Sequence, residues 1–325
     1  LIMATYKEIR GTQIEAVASD PSNPVEGQVW YNTTSQSLKG QAATTAGAWA
    51  TGNNMNDSRT SIGGAGVQTS ALGFGGYGDS QGVTESYNGT NWTEVNDLNN
   101  ARVYAAGAGV SNTSALAIGG YATTPRAYTE SWNGTNWTEV NDLNTARFDL
   151  SATGTQTSAI AAGGATPPSP RPTNSEIWNG TNWTNTGTIN SGRSGLTAAG
   201  ADSTSALIFG GTDGTARGYT EVWNGSNWTE VNDLNDTRFG LGGAGTATAA
   251  LGFGGSAPGN TANTELWNGT NWVEQNNMNT ARRELDGCGS NPAALGFGGY
   301  ATAASAATEE WTGAGGGVTR TFTDS

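Results

Sequence analysis

The sequence predicts an all-β protein, built from repeated four-stranded sheets that close into a ring. Three observations carry this. Six glycine pairs, Gly75-Gly76, Gly119-Gly120, Gly163-Gly164, Gly210-Gly211, Gly254-Gly255 and Gly298-Gly299, are spaced 44, 44, 47, 44 and 44 residues apart. Each pair is followed by an acid-x-aromatic element, at Glu85/Tyr87, Glu130/Trp132, Glu176/Trp178, Glu221/Trp223, Glu265/Trp267 and Glu309/Trp311. A second Trp and an Arg recur at the same period, which is that of a sheet array.

Residues 1–27 stand outside the repeat and read as an N-terminal docking arm, turn-rich at Asp20-Pro21-Ser22-Asn23-Pro24. Gln28-Val29-Trp30-Tyr31-Asn32 reads as a strand and Asn32-Thr33-Thr34-Ser35 as a turn. The ring is expected over 28–313, with 314–325 as a tail that has β character at Val318–Thr323. Each unit divides into four short strands. The innermost follows the Arg (Arg59, Arg102, Arg147, Arg193, Arg238, Arg282) and is rich in Gly and Ala, which suits a crowded inner edge. The second ends in the glycine pair, the third carries Glu-x-aromatic, and the fourth carries the second Trp. Asn-Gly joins the third to the fourth in five units and predicts a tight hairpin with positive φ. The second-Trp series is displaced: it starts at Trp49, before the first glycine pair, and has no member after Trp311. Ala48-Trp49 is therefore expected to complete the last sheet beside Glu309–Trp311, leaving no open edge at the seam. The tail is an alternative addition to that seam.

Composition limits the function classes. Fifty glycines and 13% charged residues disfavour helices, while 12 Trp, 9 Tyr and 7 Phe supply apolar area to bury. A net charge of −13 disfavours nucleic acid and anionic lipid as partners. One cysteine, Cys288, forbids an intrachain disulfide, and the absence of histidine removes the imidazole ligands that copper needs. No apolar run reaches membrane-span length, and Leu1–Arg10 holds no signal-peptide core, so ordinary secretion is not expected. No cofactor is expected.

Glycine pair, acid-x-aromatic, Trp and Arg together resemble the kelch repeat of β-propellers over residues 49–311, with Asn-Gly in place of the usual Asp-Pro turn. The resemblance implies a six-bladed propeller. The near-identical units, with Pro24-x-x-Gly27-Gln28-Val29-Trp30-Tyr31-Asn32, also resemble structural proteins of tailed, especially marine, bacteriophages. That implies a non-enzymatic virion component (fibre, tail or capsid surface), docked to other virion proteins through the arm, oligomeric on the particle and released by lysis. A cellular interaction scaffold and a glycan-active enzyme are the alternatives.

The loops between second and third strands differ in every unit, whereas the Asn-Gly turns barely vary. Variation confined to one loop class suggests a partner-facing surface. The candidate binding residues are Tyr77, Asp79, Tyr121, Arg126, Arg171, Asp213, Arg217 and Tyr300, suited to a host-surface glycan or a protein. The repeated Arg is read as structural, paired with a repeated Glu. Asp149, Glu284 and Asp286 interrupt the small-residue pattern and alternate with Leu150 and Leu285, so they face the channel. Such acids suit acid–base work or Ca²⁺, but nothing in the sequence brings them together. Asn96-Asp97-Leu98-Asn99-type connectors lack a calcium-loop spacing. Cys288, with no His partner, is not expected to act as a nucleophile.

Overall fold

The computed structural model describes residues 14–21, 28–43, 46–167, 171–313 and 317–322, and their regular structure is all strand. The chain divides into two units, Ala48–Thr312 and a smaller one made from Leu1–Gly47 and Gly313–Ser325. The boundary expected at residue 28 falls at Gly47/Ala48.

The smaller unit is a four-stranded sheet ordered Glu15–Val17, Val29–Asn32, Ser37–Ala43, Gly317–Phe322. Val29–Asn32 is thus a strand as expected, but of this sheet. The tail strand pairs with Ser37–Ala43 and not with the seam. Asp20 organises the sheet, accepting Trp30 Nε1 (3.0 Å), Asn32 Nδ2 (2.7 Å) and Lys39 Nζ (2.7 Å). These bonds, Lys39 first, lower its pKa to about 2. The rest of the expected arm, 1–13 and 22–27, lies outside the described residues.

The larger unit contains six four-stranded antiparallel sheets, one per repeat. The fourth is typical: Thr197–Asp202, Ser205–Phe209, Thr220–Trp223 and Trp228–Val231. The sixth joins Asp286–Ser290, Ala293–Phe297 and Thr308–Thr312 to Ala48–Thr51, with Trp49 opposite Trp311, so the seam is the one expected. The innermost strands of successive sheets touch in turn, and that of the sixth, Asp286–Ser290, touches that of the first, Gly63–Val67. Their small residues have a steric cause: a Cβ on Gly107 would lie 1.8 Å from the carbonyl oxygen of Gly64.

Two hydrogen-bond ladders run from sheet to sheet. Each fourth-strand Trp donates its Nε1 to a Thr or Ser opening the third strand of the preceding sheet. Trp137 reaches Thr84 (3.0 Å), and Trp92 reaches Thr308 of the sixth sheet (2.9 Å). The second glycine of each pair donates to the carbonyl of the next Arg, from Gly76 to Arg102 (3.1 Å) round to Gly299 to Arg59 (2.7 Å). The first glycine of the pair, Gly75, sits at φ 65° beneath that connector, where a Cβ would meet Arg102 O at 2.5 Å.

The repeated Arg is structural. Arg59–Glu85 (2.8 Å), Arg147–Glu176 (3.1 Å), Arg193–Glu221 (2.5 Å), Arg238–Glu265 (3.0 Å), Arg282–Glu309 (3.2 Å) and the close pair Arg102–Glu130 are buried ion pairs. The acid also caps the incoming connector: Glu130 Oε2 accepts both the amide and the Nδ2 of Asn99 (2.8 and 2.9 Å). The Asn-rich connectors are spent on such bonds; Asn96 Nδ2 ties to Thr135 O and Asn136 Oδ1 of the next turn. The Asn-Gly hairpins have four-residue loops, since Tyr87 pairs with Trp92. Gly89 alone takes positive φ there (89°), while Asn88 Oδ1 accepts the amides of Thr90 and Asn91.

Candidate functional site

Two residues after each repeated Arg the chain turns left-handed. Ser61, Tyr104, Asp149 and Glu284 have φ of 56°, 55°, 56° and 53°; Gly195 and Gly240 have 61° and 62°. These six equivalent positions bond to one another in a closed backbone ring. Tyr104 N donates to Ser61 O (2.9 Å), Asp149 to Tyr104 (3.1 Å), and Gly195 to Asp149 (2.9 Å). Gly240 donates to Gly195 (2.8 Å), Glu284 to Gly240 (2.6 Å), and Ser61 back to Glu284 (2.9 Å).

Glycine is the natural occupant of such a backbone. Two sheets use it. Four place side chains there that pay for the conformation by about 1–2 kcal/mol each. Ring closure therefore does not explain the side chains. Ser61, Tyr104, Asp149 and Glu284 line one cavity of about 100 Å³, together with Asp286, two residues further along its strand. The neighbours Ile62, Leu150 and Leu285 border the same cavity and pack in the core clusters. A second chamber of about 260 Å³ below is lined by the small residues of the inner strands.

The acids of the cavity are held in different surroundings. Burial pushes Asp149 up to about 7, with Glu284 adding to the rise and Ser194, Arg171 and the Gly195 amide opposing it. Asp286 is likewise raised to about 7 by burial, against the amides of Gly287 (2.7 Å) and Gly64. Glu284 is held differently: its Oε2 accepts Ser61 Oγ (2.8 Å) and Thr60 Oγ1 (3.0 Å), and Arg283 Nε stands 3.6 Å from Oε1. Burial, and then the charges of Glu284 and Asp149, raise the pKa of Tyr104, against a hydrogen bond with Ser61. A half-buried Asp149, a hydroxyl-bound Glu284 and a phenol thus share one small space. Burial also pushes the Cys288 thiol up, with Asp286 adding to it, so it is no thiolate nucleophile.

The expected loop residues divide into two groups. Tyr77, Tyr121, Arg171 and Tyr300 each touch a residue in the backbone ring or next to it. Tyr77 packs edge-on to Tyr104 (5.8 Å), Tyr121 on Phe148 (5.1 Å), and Arg171 Nε donates to Ser194 Oγ (3.1 Å). Arg283 lies over Tyr300 (4.7 Å). Arg126, Asp213 and Arg217 are occupied locally, Arg126 over Tyr128 and Arg217 paired with Asp213 at 2.9 Å. Asp79 is an exposed loop residue. Tyr104 and Ser61 were not singled out from sequence; the signal was the Gly at the same place in two sister units. Among the described residues one acidic group, Asp236, Glu265 and Glu274, is close enough to share an ion, but Glu265 is already held by Arg238 and Asn235.

No protein-family pattern and no curated protein matches the sequence. Among solved structures, that of YjhT is similar, with a TM-score of 0.66 and 12% identity over 80% of this chain and 96% of that one. The chain has a β-propeller fold. At that identity the likeness carries the fold alone.

Two expectations are corrected. The non-enzymatic phage virion role is withdrawn. No comparison leads to a virion: neither a family pattern nor a curated protein matches, and YjhT shares the propeller fold alone. The Trp30-Tyr31-Asn32 motif behind the phage resemblance is accounted for locally by the bonds of Trp30 and Asn32 to Asp20. The expectation that the chain is not an enzyme is withdrawn as well. It rested on the channel acids being out of reach of one another, and Asp149, Glu284 and Asp286 line a single cavity.

Proposed function

We propose that the larger unit, Ala48–Thr312, is a six-bladed, kelch-like propeller whose channel mouth hydrolyses an uncharged glycoside. The observation that carries this reading is the backbone ring, in which four of six positions bear strained side chains where glycine serves in the other two. Strain of this kind, held by surrounding structure, concentrates at functional sites. Asp149 is the proton donor, because burial keeps it protonated to about pH 7. Glu284 is the carboxylate opposite, fixed by Thr60 and Ser61.

In the reaction the glycosidic C–O bond breaks as Asp149 delivers its proton to the departing oxygen. Water adds to the anomeric carbon and gives up a proton to Glu284. Proton exchange with solvent restores both groups. The substrate is neutral, since the cations beside the cavity, Arg171 and Arg283, are already engaged by Ser194 and by Asn260 and Tyr300.

The test is release of reducing sugar from a panel of neutral and anionic glycosides. Wild-type protein should cleave a neutral member, and Asp149→Asn and Glu284→Gln should each lower kcat by about 10²–10⁴. Absence of any cleavage, or equal rates in the variants, would overturn the proposal.

A further inference from the structure

On the mouth face, four aromatic side chains stand in mutual contact. Tyr77, Tyr104, Phe148 and Tyr121 form a continuous row across the first three sheets. Ring centroids step 5.8 Å from Tyr77 to Tyr104, 5.9 Å to Phe148 and 5.1 Å to Tyr121. Tyr104 lines the acid cavity and Tyr77 is 41% exposed, so the row links the reacting groups to solvent.

Scaffolding does not account for it. The backbone bridges that hold these residues, Thr60 to Tyr77, Val103 to Tyr121 and Phe148 to Ala165, recur as Ser194 to Thr212 and Phe239 to Ser256. In the fourth sheet that bridge joins two small polar residues, and Gly195 and Gly240 close the backbone ring as well as Tyr104 does. Tyr104 is the bulkiest residue on the ring and sits at φ 55°, an outlier for a large side chain. The strain is explained if the phenol must stand between the cavity and the outer rings.

We propose that this row is an extended subsite that takes successive sugar rings of a neutral oligosaccharide, with cleavage beside Tyr104, at Asp149 and Glu284. The inference rests on the hydrolase reading above and adds that the substrate is a chain, not a single sugar with a small leaving group. Aromatic faces bind the apolar faces of pyranose rings without a charge.

The experiment measures kcat/KM and, by calorimetry with Asp149→Asn, affinity for cello-, xylo- and malto-oligosaccharides of two to six units. In wild type, kcat/KM should rise with chain length for one series. Tyr77→Ala and Tyr121→Leu should cost the hexamer about 3- to 10-fold each, with a smaller loss for the dimer. Circular dichroism and melting temperature confirm that both variants remain folded. Cleavage of dimers with no gain on lengthening, or an equal loss for dimer and hexamer, would overturn the subsite and leave the hydrolase reading standing. Neither binding nor cleavage of any member, with no turnover of aryl glycosides, would overturn both.

Discussion

If the ring is strained for function, removing one functional side chain should make the protein more stable. Asp149 allows two causes to be separated. Its carboxyl rises from 3.8 to about 7 through burial, and each pKa unit corresponds to ~1.4 kcal/mol. Between those values the folded state holds a proton that the unfolded chain has released. Stability therefore falls as pH rises from about 4 to about 7 and levels off above. Full ionisation at pH 8 costs the fold up to ~4 kcal/mol. Asp149→Asn keeps the shape and removes that charge, at ~1 kcal/mol for weaker bonding to Ser194. The net gain should be about 2–3 kcal/mol at pH 8 and none at pH 4. Asp149→Gly also relieves the backbone, worth ~1–2 kcal/mol, less ~0.5–1 kcal/mol for glycine's freedom in the unfolded chain. That part is independent of pH. Urea unfolding of the three proteins at pH 4, 6 and 8 measures both. An Asp149→Asn pH profile parallel to wild type would refute the buried-acid argument. A Gly variant less stable than Asn at pH 4 would refute the strain argument.

Three further outcomes follow from the same geometry. Arg147→Ala should destabilise by about 3–5 kcal/mol, because it leaves Glu176 buried without its partner and frees the carbonyls of Asn174 and Ala161; urea unfolding checks this, and a loss below ~1 kcal/mol contradicts it. Trp49→Ala should cost about 3–5 kcal/mol, since it removes ring contacts to Phe253 (4.7 Å) and Trp311 (5.5 Å) and the bond to Thr264; a small loss in calorimetry would mean that the seam carries little of the closure. Hydrolytic activity should decline above about pH 7 as Asp149 loses its proton, and an unchanged rate at pH 9 would remove Asp149 as the donor.

The frame of the protein was legible in its sequence because each repeated residue does one structural task six times. The glycine pair, the Arg–Glu pair and the second Trp each serve a bond repeated from sheet to sheet, so period alone exposed them. The displaced Trp49 foretold the seam for the same reason: a missing strand must be supplied from elsewhere in the chain. The hairpin loop came out longer than Asn-Gly suggested, because the Asn side chain, not a second left-handed residue, closes the turn. The site was legible only in part. Period finding favours what repeats, and the site consists of what departs from the repeat. Asp149, Glu284 and Asp286 showed as departures, but sequence separation hid that a ring brings them to one cavity. Tyr104 and Ser61 passed unnoticed, since neither residue type is odd beside a strand. Their significance is conformational: they stand where Gly195 and Gly240 show that the backbone is left-handed. In a repeat protein, then, a glycine shared by some units and replaced in others tests for function more sharply than variation in exposed loops. Variation in an exposed loop carries little cost, whereas a bulky residue at φ 55° persists against a cost in stability.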